Sequence, residues 1–132
     1  ASTSTYLPIY RSVFPGDDLV DWLGLDIYNT GPSVDWGAPY WRSFREALRE
    51  PYAAITAISS KPLLIAEMGS TEVGGDKAAW ISEALSAEAF AEFPRVRAIV
   101  WFDVEKEAAW QVRSSPAAFQ SFITAWRGPS FP

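Results

Sequence analysis

Apolar positions along the chain fall into two alternating patterns. Val20–Asn29 is a run of apolar and aromatic residues, closed by the turn signal Asn29–Pro32, and it reads as a strand. Lys61–Ser70 is a second: Pro62 opens it, Gly69 closes it, and Leu63–Ala66 read as a strand buried on both faces. Val96–Asp103 is a third. Between them the spacing becomes helical. Over Trp41–Ser60, Phe44, Ala47 and Leu48 share a face that Ile55 and Ile58 continue. Pro51 predicts a break near Glu50, with a second short helix opening at the proline. Asp76 is placed to cap a helix over Lys77–Phe90, with Ala79, Trp80, Ala84, Leu85 and Phe90 toward the core. Ser115-Pro116 caps a last helix over Ala117–Trp126. Residues 1–14 are mixed, and Asp17-Asp18 after Pro15-Gly16 suggests a short helical turn. Strand and helix alternate three times, which implies βα units and a parallel sheet with helices outside.

Glu67 stands out in this pattern. A carboxylate as the last word of a buried apolar strand needs a reason, because burying an unpaired charge is costly. It forms an ion pair with Lys61, Lys77 or an arginine, or it serves the site that parallel βα folds build at the carboxyl ends of their strands. The three ends bring Asp26, Tyr28 and Asn29, then Glu67, Gly69 and Ser70, then Trp101, Phe102 and Asp103 toward one rim. Carboxylates, a phenol, an amide and an indole suit sugar chemistry. Period-2 alternation groups Glu67 with Leu63 and Ile65, Tyr28 with Asp26 and Gly24, and Trp101 with Ile99 and Asp103. If those faces point inward, all three look into one cavity. Each has a plainer reading: Trp101 as a core aromatic, Asp26 as a hydrogen-bonder for a loop, Trp36 and Trp41 packed under the first loop instead of meeting a ligand. Glu105-Lys106-Glu107 reads as a solvated loop, and Gly74-Gly75 lies among acidic neighbours unsuited to an anion.

Composition narrows the chemistry. The chain has 132 residues, 48% of them hydrophobic, enough for one domain with a real core. It has no histidine and no cysteine, which excludes a Ser-His triad, thiolate catalysis, a disulfide and His- or Cys-ligated zinc within these residues. No cofactor is implied. The net charge of −5 argues against nucleic acid and an anionic membrane surface. No apolar stretch approaches the roughly 18–20 residues of a membrane span. Residues 1–10 lack the features of a signal peptide. Seven Trp, five Tyr and eight Phe are many for this length, and those in loops make flat platforms for neutral sugar rings.

Four segments, Phe14–Asp18, Val20–Asn29, Lys61–Ser70 and Ala98–Phe102, resemble in order and spacing the C-terminal part of glycoside hydrolase family 26, best known for endo-β-1,4-mannanases. The resemblance spans nearly all of residues 14–126. It implies a retaining (β/α)8-barrel enzyme, of which residues 1–132 would be a single C-terminal segment holding strands six to eight. It makes Glu67 the nucleophile, Tyr28 its hydrogen-bond partner and Trp101 a sugar platform; Asp26 and Asn29, from their place at a strand end, and Trp36, in the loop that follows, are expected as further substrate contacts. It favours a secreted or periplasmic location. The family's acid/base belongs to a His-Glu-Met-Asn-like motif on the fourth strand, and nothing here matches it. A whole barrel needs about 200–250 residues. The expected partners are therefore a polysaccharide or oligosaccharide and either the remaining barrel or a second copy covering the open sheet edge. A chain lacking the acid/base is expected to be poorly active alone. The competing readings are a non-catalytic carbohydrate-binding module and a self-associating half-barrel.

Overall fold

A computed structural model describes residues 4–128. A helix α1 (Tyr6–Val13) precedes strand β1 (Leu23–Asn29), and α2 (Phe44–Thr56) links β1 to β2 (Leu63–Ser70). Helices α3 (Lys77–Ala84) and α4 (Ala87–Glu92) lead to β3 (Val96–Trp101), and α5 (Pro116–Arg127) follows. The strands form one parallel sheet in the order β1-β2-β3. The alternating α/β plan is as the sequence implies.

One face of the sheet carries the core. Leu23, Leu25 and Ile27 of β1, Leu63, Ile65 and Met68 of β2, and Val96 of β3 pack against Phe44 and Leu48 of α2, Trp80 and Ile81 of α3, and Ala118 of α5. The opposite face is open: Asp26 and Val100 are exposed on it, and Leu64 and Ala98 are half-buried.

Four local expectations are corrected. Residues 6–13 form a helix, although Pro8 and the mixed composition conceal it. Helix α2 runs unbroken through Pro51. A proline inside a helix costs about 3 kcal/mol, but here it occupies the buried stripe itself. Phe44, Ala47, Leu48, Pro51, Ala54 and Ile55 recur at helical spacing and are all buried, and a Ser43–Glu46 capping box holds the first turn. The helix expected over Lys77–Phe90 divides at Leu85-Ser86. Ser86 Oγ accepts from the Ala89 amide at 3.1 Å and starts α4 as a new N-cap. Ala79, expected toward the core, is exposed.

One more correction decides the site. Leu25 of β1 pairs with Ile65, but the next residue, Asp26, pairs with Glu67, so Ala66 is an extra residue in β2. The same irregularity falls between Ile65 and Met68 in the pairing with β3. This bulge reverses the alternation. Met68 joins Leu63 and Ile65 in the core, and Glu67 turns to the open face instead of sharing theirs.

Candidate functional site

Because of the bulge, Glu67 lies beside Asp26 and on the same face as Tyr28, at the carboxyl ends of the strands. Tyr28 Oη donates to Glu67 Oε2 at 2.7 Å. Among the described residues no lysine or arginine is ion-paired with Glu67, so the salt-bridge alternative does not account for it. Burial first, then the hydrogen bond to Glu67 and that carboxylate's charge, push the Tyr28 phenol well above its ordinary range. It therefore stays protonated and keeps donating at any ordinary pH. Asp26 is also raised, by desolvation and then by the negative charge of Glu67, with a hydrogen bond from the Glu67 backbone opposing.

Aromatic rings surround the Tyr28 phenol. Trp110 meets it edge-on at 5.1 Å between centroids, Phe102 at 5.9 Å and Trp36 at 6.1 Å. Gly69 makes room for this cluster: a Cβ there would stand 3.1 Å from Tyr28 Cε1 and 3.4 Å from Trp110 Cε3. Trp36 is 62% exposed at the tip of the loop after β1, while Trp110 is wholly buried. The loop holding Trp36 is braced by Thr30 Oγ1, which donates to the Ala38 carbonyl at 2.9 Å. A groove of about 500 Å³ runs beside Asp26, Tyr28, Trp36 and Arg42.

The chain is similar to an endoglucanase. Over 116 residues it is 40% identical to Endoglucanase H of Acetivibrio thermocellus, a stretch that covers 88% of this chain and 13% of that protein. The chain thus corresponds to a small portion of that much longer relative. No known protein-family profile matches it.

Two residues expected at the rim are elsewhere. Trp101 pairs in register with Met68 and so lies on the helix-covered face, 6.0 Å from the Trp80 ring and 5.9 Å from Phe122. Its indole N–H donates to the Trp110 carbonyl at 2.8 Å. It takes the core-aromatic place, and the buried ring nearest Tyr28 is Trp110 instead. Asn29 is fully buried. Its Nδ2 donates to Ser70 Oγ at 2.9 Å and its Oδ1 accepts from the Arg42 amide at 2.9 Å, so it ties two strand ends together and offers no surface to a ligand. Asp26, Tyr28 and Glu67 lie together on the open face, and the Trp36 ring stands beside Tyr28.

Trp110 was concealed by the charged loop around it. The available signal was the apolar stretch Ala108-Ala109-Trp110 directly after Glu105-Lys106-Glu107, which no solvated loop requires. Lys77 was concealed as a helix-start residue. It is 1% exposed, and its ammonium donates to the carbonyls of Ala109 and Gln111, both at 2.8 Å, and to Ser114 Oγ at 2.7 Å. Among the described residues no group of acidic side chains is arranged to hold a metal ion.

Proposed function

We propose that this chain is part of a retaining glycoside hydrolase acting on a β-linked polysaccharide, with Glu67 as nucleophile. The observation that carries the reading is the 2.7 Å bond from Tyr28 Oη to a carboxylate unpaired with any described cation, at the carboxyl ends of parallel strands. The 40% identity to an endoglucanase supports the same chemistry. The Glu67 carboxylate attacks the anomeric carbon as the glycosidic C–O bond breaks, and the leaving oxygen takes a proton from a general acid. Water then hydrolyses the glycosyl–enzyme ester, with that acid acting as base. Tyr28 holds one carboxylate oxygen and so orients the other.

The second carboxyl of a retaining pair stands about 5–5.5 Å from the first, across the scissile bond. Asp26 is a strand neighbour of Glu67 on the same open face, which does not suit it to the opposite side. We assign the acid/base to a segment outside these 132 residues. The three βα units then correspond to strands six to eight of a (β/α)8 barrel, and the remaining strands cover the open face bearing Leu64, Ala98 and Val100. Alone, the chain is a poor catalyst, since an acid/base is typically worth about 10²–10⁴ in rate.

A 2-deoxy-2-fluoroglycoside tests the assignment on the complete enzyme carrying this segment. The expected result is a stable glycosyl adduct on the peptide containing Glu67, absent in Glu67→Gln. An adduct on another carboxylate overturns it. The family resemblance favours a β-mannan and the relative's name a β-glucan, so glucose- and mannose-configured reagents are compared side by side.

A further inference from the structure

The loop from β3 to α5 is held by side chains at each step around Trp110, with the buried Lys77 at the centre. Lys77 Nζ binds the carbonyls of Ala109 and Gln111, the residues on either side of that tryptophan. Trp101 Nε1 binds the carbonyl of Trp110 itself. Asp103 Oδ1 accepts from the Val112 amide at 2.8 Å. The third Lys77 bond goes to Ser114 Oγ, which donates in turn to Glu72 Oε1 at 2.6 Å, so the loop is also tied to the end of β2. Four consecutive residues, 109–112, thus have a main-chain group fixed by a side chain from another part of the chain. The ring they hold abuts Gly69 and stands 5.1 Å from the Tyr28 ring.

A buried lysine is a costly way to brace a loop. Desolvation pulls the Lys77 ammonium down to about 8, against the supporting charges of Glu72 and Asp103. A methionine of similar length would fill the same space without that cost. What it could not do is gather three oxygen acceptors at one point.

We propose that Lys77 is a positioning residue for the Glu67 site: its ammonium draws together the carbonyls flanking Trp110, and through that ring fixes the Tyr28 phenol that holds Glu67. The part of this that concerns catalysis rests on the reading of Glu67 as nucleophile. The geometric part does not.

The test has one arm for each part. Amide hydrogen exchange on the chain compares wild type with Lys77→Met. We expect at least about tenfold faster exchange at Trp110 and Val112, with the amides of β2 and α2 unchanged. If Lys77→Met fails to fold, Ser114→Ala, which removes one acceptor and the link to Glu72, should give a smaller rise confined to the same loop. Unchanged exchange there in a folded variant overturns the clamp. In the complete enzyme, Lys77→Met and Trp110→Leu should each lower kcat about tenfold or more while KM moves less than about threefold. The double variant should be no worse than the more damaged single, because both changes act through one ring. Fully additive losses overturn the proposal. If the wild-type enzyme neither turns over nor labels at Glu67, the functional reading fails while the exchange result still decides whether Lys77 holds Trp110.

Discussion

The two faces of the sheet are built from the same three strands but by opposite rules. On the helix-covered face, Leu63, Ile65, Met68 and Leu48 are fully buried and a terminal polar residue, Asn29, has both amide atoms bonded. On the open face, Asp26 is exposed, Val100 is 51% exposed, and Glu67 has one phenol for a partner. The first face is what holds the fold together. The second carries the groups with chemistry, and a single extra residue in β2 decides which face Glu67 joins.

Met68→Glu is therefore the most severe way to break the contrast, because it puts on the covered face the kind of group that the bulge keeps off it. Met68 is fully buried. An unpaired carboxylate in that core costs several kcal/mol, and the loss of Met68 burial adds about 1.5–3 kcal/mol. Together these approach the whole stability of a small domain. The substitution is expected to abolish the cooperative unfolding transition in urea. A variant that still unfolds cooperatively with a normal midpoint would show that position 68 does not face the core.

Paired truncations sharpen the contrast without destroying it. Ile65→Ala, on the covered face, should cost about 2–5 kcal/mol, and Leu64→Ala, one residue earlier on the open face, less than about 1 kcal/mol. Chemical denaturation of the two variants at equal slope reads the difference. Similar losses would mean that something buries the open face as thoroughly as the helices bury the other.

This contrast also marks how far the sequence could be read. The strands, their parallel order and the presence of Glu67 and Tyr28 at strand ends followed from apolar runs bounded by Pro, Gly and Asn. The bulge did not, because Leu63–Ala66 are all apolar and contain no polar residue whose alternation would betray an extra one. Trp101 and Trp110 escape a local reading for a related reason. A tryptophan at a strand end suits a rim platform as well as a core, and one in a charged loop carries no local sign of burial, yet register puts Trp101 among Trp80 and Phe122, and a distant lysine draws Trp110 inward. Both placements depend on long-range pairing, which local pattern does not carry. Helix α2 survived Pro51 because the proline lies on the buried stripe, a fact visible only once the stripe is known to face a sheet.

Tyr28→Phe addresses the open face alone. The change removes one hydrogen bond to a charged group, worth about 1.5–3 kcal/mol where it is used, and leaves the ring among Trp36, Phe102 and Trp110. If the bond orients a nucleophile, kcat/KM of the complete enzyme falls about 10- to 100-fold, while the unfolding midpoint of the chain moves little. A loss of stability without a loss of rate would make the bond a structural one and remove the main support for Glu67 as nucleophile.

The smallest expected effect is a matter of sign. Asp26 is raised above its ordinary value in the folded chain, first by desolvation and then by the charge of Glu67. The folded state therefore holds this proton to a higher pH than the unfolded state does. Stability from this group is complete below the unfolded value near 3.9 and is lost as pH rises through the folded value. Asp26→Asn cannot ionise and should flatten that part of the profile, so the variant gains on wild type as pH rises from about 4 toward neutrality. Asp26 is exposed, so solvent screens its interaction with Glu67 and the gain is small. Combining the change with Glu67→Gln separates the causes. If the charge of Glu67 contributes, the advantage of Asp26→Asn shrinks in that background, and what persists is desolvation. An advantage that grows as pH falls would contradict the placement of the two carboxylates on one face.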